Sequence, residues 1–103
     1  MAKKIKPVHP GEILQQEFML PLGLSMNRVA MDLRVPVTRI ADIVHERRGI
    51  TADTALRFAR YFGNAAAFWM NLQTRYDLEV AGDQIAARVA RDVRPLEPAT
   101  VVE

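Results

Sequence analysis

The sequence predicts an all-α domain: five helices built around a helix-turn-helix, with an additional C-terminal helix. Three observations predict it. Met26, Val29, Ala30 and Leu33 fall at i, i+3, i+4 and i+7, one buried helical stripe, and Val35, Ile40, Ile43 and Val44 supply a second. Arg34-Val35-Pro36 hinges the two, and a basic loop, His45-Glu46-Arg47-Arg48-Gly49, follows them. No stretch reads as a strand, and no internal repeat or low-complexity segment breaks the pattern.

Each helix has its own start and stop signals. Lys3, Lys4 and Lys6 precede Pro7 and are expected to form a flexible basic arm over residues 1–8. Structure should begin near His9. Pro10 suits a first helical position, Glu12 complements the positive helix end, and Ile13, Leu14, Phe18 and Met19 form the inward face. This first helix is expected to stop by Pro21, with Gly23 confirming the break. Ser25 caps the second helix, Met26 to about Leu33, and Pro36 sets the start of the third, Val37 to about His45.

Thr51 caps the fourth helix, with Asp53 in its first turn and Gly63 just past its end. Ala55, Phe58, Ala59 and Phe62 repeat along it at helical spacing, while Arg57, Arg60 and Tyr61 can stay wet. Asn64 is expected to cap the fifth helix, which carries Phe68, Trp69, Leu72 and Tyr76 on one side. Four large side chains exceed what one small core needs, so part of this stripe is expected to meet a second copy. Gly82 and Asp83 predict a break or kink before a thinner stripe of Ile85, Ala86, Val89 and Val93. The organisation is then an arm at 1–8, a helix-turn-helix domain at 9–78, a helical extension at 79–94 and a flexible tail at 95–103.

Composition narrows the function. With 103 residues, 50% hydrophobic and 25% charged, the chain suits one soluble globular domain. It has no cysteine, so neither a disulfide framework nor a thiolate zinc site is available. No apolar run approaches the roughly 18 residues of a membrane span, and Met1 to Pro10 lacks a signal-peptide core. A cytoplasmic protein is expected. The net charge of +2 is uneven: Met1 to Arg48 holds eight Lys or Arg against five Asp or Glu, and the remainder six against seven. The positive end coincides with the helix-turn-helix, as phosphate contact requires.

The third helix leaves Val37, Thr38, Arg39, Ala41 and Asp42 facing away from its apolar stripe, a face that fits a major groove. Arg39 is the candidate for a bidentate contact to guanine, and Thr38 is placed for a thymine methyl or a phosphate. Asp42 has two readings open, a cytosine amino group or the orientation of Arg39. Arg47 and Arg48 should hold backbone phosphates and fix register without reading bases, with Ser25 and Asn27 adding contacts at the start of the second helix. His9 and His45 are too isolated for a metal site, no carboxylate pair has a partner nucleophile, and no glycine-rich phosphate loop is present. Neither catalysis nor a cofactor, metal or small-molecule ligand is expected.

Five segments carry a family resemblance over His9 to about Leu78. They are His9-Pro10-Gly11-Glu12-Ile13-Leu14, Pro21-Leu22-Gly23-Leu24-Ser25, Arg47-Arg48-Gly49-Ile50-Thr51, Ala55-Leu56-Arg57-Phe58-Ala59, and Phe68-Trp69-Met70-Asn71-Leu72-Gln73 with Tyr76-Asp77-Leu78. Together they resemble the HigA-type antitoxins of bacterial toxin–antitoxin modules, within the phage-repressor-like (XRE) helix-turn-helix class. That resemblance implies a homodimer, double-stranded DNA with an inverted-repeat operator, and a cognate HigB-type ribonuclease toxin as partner. It also implies repression of the chain's own operon. A solitary regulator without a toxin, or an interaction module that has lost operator recognition, remains an alternative. Phe68, Trp69, Leu72, Tyr76, Ile85 and Val89 are the expected dimer interface.

The chain departs from the family pattern at Arg34 and Glu46, where Gly is common, at Pro36, where a Ser or Thr cap is common, and at Met26, where a phosphate-gripping Gln is common. A left-handed Arg34 costs roughly 1 kcal/mol relative to Gly, and a missing cap about as much again. These departures weigh on DNA affinity more than on fold.

Overall fold

A computed structural model describes residues 6–97; the expectations for Lys3 and Lys4 and for the last six residues of the tail lie outside that range. Five helices follow in order. Helix α1 starts at Pro10, where the His9 ring caps it: Nδ1 accepts from the Gly11 N–H at 2.9 Å. It is α-helical over Pro10–Ile13, π-helical over Leu14–Met19 and α-helical again over Leu20–Leu22. The remaining helices are α2, Met26–Leu33; α3, Val37–Val44; α4, Ala52–Phe62; and α5, Ala66–Asp92. No strand occurs among the described residues.

Pro21, expected to stop the first helix, does not end α1. It occupies the opening of the resumed α-helical turn, where a missing N–H is tolerated, and the chain leaves the helix at Gly23 in a left-handed conformation, φ 65°. The π-helical segment has a packing purpose. Leu14 and Met19 are five residues apart and both are buried, which the wider i→i+5 turn permits by bringing them onto one side.

Ser25 and Thr51 cap α2 and α4 as expected, each side chain accepting the N–H three residues on. Arg34 adopts the left-handed conformation at φ 62°, and Glu46 does so at φ 65°. Pro36 precedes α3 without any side-chain cap. At α5 the cap position is Ala65, because the Asn64 side chain is used elsewhere: its Oδ1 accepts from Trp69 Nε1 at 3.0 Å.

The core joins all five helices through Leu14, Met19, Val29, Ala30, Leu33, Ile40, Ile43, Val44, Ile50, Ala55, Phe58 and Trp69. Trp69 is fully buried, with its ring centroid 4.8 Å from Phe58 and 5.0 Å from both Phe18 and Phe68. Removing some 150–250 Å² of such a ring from water is worth roughly 4–6 kcal/mol of transfer free energy. Trp69 therefore belongs to the core of a single chain and is not a dimer contact. Leu72 and Tyr76 are half-buried for the same reason, Tyr76 lying edge-on to His9 at 4.8 Å.

Gly11 brings α1 onto the third helix. A Cβ there would stand 1.8 Å from the Ile43 carbonyl oxygen, so only glycine allows the two backbones to meet. Gly82, by contrast, breaks nothing. Helix α5 runs through it to Asp92, because a single Gly costs about 1 kcal/mol against a run of good helix formers, Ala81, Gln84, Ala86, Ala87 and Arg88. The separate extension expected after residue 78 is thus the outer half of α5, which is exposed beyond Val80. Its overhang stretches the molecule to 57 Å in one direction and 22 Å in the thinnest.

Candidate nucleic-acid interface

Helices α2 and α3 pack through Val29, Ala30 and Leu33 on one side and Ile40, Ile43 and Val44 on the other, which leaves Val37 and Thr38 outward and Arg39, Ala41 and Asp42 half-buried. Val37 and Thr38 are exposed, as are Ser25 and Asn27 at the start of α2. Ser25 Oγ accepts from the Arg28 N–H at 3.0 Å, so its oxygen already serves the helix. Arg47 and Arg48 stand on the loop after α3 with 61% and 48% of their side chains exposed. That loop turns tightly because the Asp42 carbonyl accepts both the Arg47 N–H, at 2.7 Å, and the Arg48 N–H, at 3.2 Å.

Arg39 is the residue that departs from expectation. Only 27% of its side chain is exposed, and Nη1 donates to Asp53 Oδ1 at 2.9 Å. The same oxygen accepts from Arg57 Nε at 2.8 Å, while Arg57 Nη1 caps the C-terminal end of α2 by donating to the Leu33 carbonyl at 2.8 Å. Two guanidiniums, Arg57 first and Arg39 second, hold the Asp53 carboxyl below the usual carboxylate range. Asp42 does not orient Arg39. It accepts from Arg47 Nη2 at 2.9 Å and Nε at 3.2 Å, with Arg48 Nη2 at 3.9 Å.

Arg39, Arg47 and Arg48 are therefore each matched to a carboxylate that a nucleic acid would have to displace. Such exposed pairs are worth little in water, so the exchange is inexpensive. Arg57 and Tyr61, expected to stay wet, are instead half-buried, Tyr61 donating its hydroxyl to Asp32. This bond, with Arg28 behind it, lowers the Asp32 pKa. Asp53 and Gln73 are the residues that sequence reasoning missed. Asp53 was legible as a first-turn acid but not as the partner of Arg39, 14 positions away.

Of the expected dimer residues, Phe68, Ile85 and Val89 keep open surface at 39%, 37% and 44% exposed. No group of three or more His, Cys, Asp or Glu able to hold a metal occurs among the described residues, and none of their helices is long and apolar enough to cross a membrane.

An outward α3 face on a tightly packed helix pair, flanked by two exposed arginines, is the surface of a helix-turn-helix nucleic-acid binder. No family model matches the chain. It is 57% identical over 74 residues to virulence-associated protein I of Dichelobacter nodosus, covering 72% of this chain and 68% of that protein. The Pseudomonas aeruginosa antitoxin HigA, solved with the higBA promoter, superposes with a TM-score of 0.86 at 43% identity over 88% of this chain and 99% of that one. Antitoxin GraA, solved in complex with its operator, gives 0.86 at 36% identity over 94% and 98%. The chain belongs to the HigA-type family of helix-turn-helix antitoxins. Such proteins are regulators and antitoxins, not enzymes.

Proposed function

We propose that this chain is an operator-binding antitoxin that works in the cytoplasm as a homodimer, represses its own operon and neutralises a HigB-type ribonuclease toxin. The observation that carries the DNA-binding half is the exposed Val37–Thr38 edge of α3, accompanied by exposed Ser25 and Asn27 at the start of α2 and exposed Arg47 and Arg48 on the loop after α3. The HigA and GraA structures, solved with promoter and operator DNA, support the same reading. Thr38 and Val37 meet base edges, Arg47 and Arg48 hold phosphates, and Arg39 reaches guanine by exchanging Asp53 for the base. Asp42 keeps the loop arginines in place until phosphates replace it.

A second copy packs on the outer half of α5. Leu78, Ile85 and Val89 are spaced seven and four residues apart, the spacing of a two-helix seam, and they face away from the core. Antiparallel pairing sets the acidic Asp77, Glu79 and Asp83 of one copy toward the basic Arg88, Arg91 and Arg94 of the other. The two α3 helices then enter successive major grooves about 34 Å apart on an inverted repeat.

Titration of the protein with its own promoter and with random duplex at several salt concentrations tests this reading. The promoter is preferred by roughly a thousandfold or more, and both affinities fall as salt rises. Equal affinity for the two duplexes ends it. Arg39→Ala should cost roughly 1–3 kcal/mol of discrimination; a pure interaction module would not respond.

A further inference from the structure

We infer that Gln73, on α5 and outside the helix-turn-helix, is the positioning residue that holds the phosphate-binding loop in register. Its Oε1 accepts from the Ile50 N–H at 2.6 Å, and its Nε2 donates to Asp77 Oδ1 at 2.8 Å. The orientation of the amide follows from its partners: a carboxylate can only accept, so the NH2 group faces Asp77 and the carbonyl oxygen is left for Ile50. The loop is shaped to receive this group. A Cβ on Gly49 would lie 2.7–2.9 Å from the Gln73 amide, so the chain passes directly over it with no side chain between.

Ile50 is buried at 4% exposed, and its N–H loses its hydrogen-bond acceptor if the amide is removed. The tie sits at the C-terminal foot of the segment carrying Arg47 and Arg48. At its other end that segment is closed on the Asp42 carbonyl. The arginine backbone is thereby clamped at both ends, once by α3 and once by α5. Loosening the second clamp leaves both guanidiniums present and charged but spreads their positions.

This inference rests on the reading of Arg47 and Arg48 as phosphate contacts. Each phosphate neutralised contributes about 0.9 to the slope of log affinity against log salt. Gln73→Leu in the full chain, measured well below its melting temperature, should flatten that slope by about one to two and weaken promoter and random duplex alike. A role confined to stability would lower the melting temperature and leave the slope of the folded protein untouched, and that result overturns the inference.

Arg47→Ala with Arg48→Ala is measured in parallel. If that pair retains the parent slope, the loop does not touch phosphate and both readings fall; if the pair flattens it and Gln73→Leu does not, only Gln73 is wrongly assigned. A further arm covers a leucine variant that does not fold. Gln73→Glu sets two carboxylates face to face and should flatten the slope, and adding Asp77→Asn supplies the missing donor and should restore it. Failure of the second substitution to restore the slope also overturns the assignment.

Discussion

The inner and outer halves of α5 are one unbroken helix with opposite surroundings. In residues 66–77 Trp69 is sealed among Phe18, Phe58, Phe62 and Phe68, Tyr76 closes over His9, and Gln73 reaches the loop after α3. In residues 78–92 nearly every side chain is exposed, Leu78 at 68% and Val89 at 44%. A helix of this length needs packing to be stable in water, so the outer half borrows rigidity from the inner one and still lacks a cover for its apolar stripe. The contrast teaches that helical spacing alone does not separate core from interface: both halves carry the same period, and only the one facing the other four helices is spent within the chain.

The largest break in that contrast is Trp69→Ala. It should destabilise the fold by about 3–5 kcal/mol in a denaturant titration, because the cavity and the orphaned Asn64 amide lie at the junction of four aromatic rings. Ile85→Asp with Val89→Asp probes the other half. Monomer stability should move by less than about 0.5 kcal/mol, as befits exposed positions. Light scattering should report a monomer, and promoter affinity should fall by about tenfold or more, some 1.4 kcal/mol. An unchanged dimer would show that the copies meet elsewhere.

Gly82→Ala sharpens the same comparison with a smaller effect. Nothing lies within 4 Å of a Cβ built there. The substitution should strengthen the outer half by about 1 kcal/mol, read as slower amide exchange from 79 to 92 with no change in the inner half.

The smallest expected effect is one of pH. Burial lowers the His9 pKa, against the opposing pull of Glu46 and Asp77, and its Nδ1 must stay unprotonated to accept from Gly11. The unfolded chain, with its ordinary value of 6.5, therefore takes up a proton before the folded chain does. His9's contribution is complete above pH 6.5 and is lost as pH falls from there through the lowered folded value. His9→Asn, which keeps a capping oxygen, should remove this part of the acid sensitivity between pH 7.5 and 5 in unfolding titrations. A pH dependence identical to the parent's would place its origin in other groups.

Much of this was legible in the sequence because local chemistry decided it. Ser25, Thr51 and Gly63 mark helix ends whose signals lie within four residues, and the α2 and α3 stripes report burial directly. What was hidden depends on distant partners. Asn64 had every feature of a cap and was taken by an indole five residues away. Gly82 looked like a break because its cost is visible locally and the helix formers around it act as a sum. Arg39 reads from its spacing as facing outward from α3, but its pairing with Asp53 joins two helices and leaves no periodic trace. Gln73 stood within the Phe68-to-Gln73 block that carried the family resemblance, though nothing in its spacing pointed to Ile50.

The π-helical turn of α1 has an evolutionary corollary. Leu14 and Met19 share a buried side only while five residues separate them, so that helix stores its rotational phase as a count of residues. Deleting one residue between them would restore ordinary winding at about 100° per residue and swing the Leu20–Leu22 turn and the path to Ser25 around the axis. Length variation among related chains should therefore be excluded from 14–19 and tolerated after Gly23.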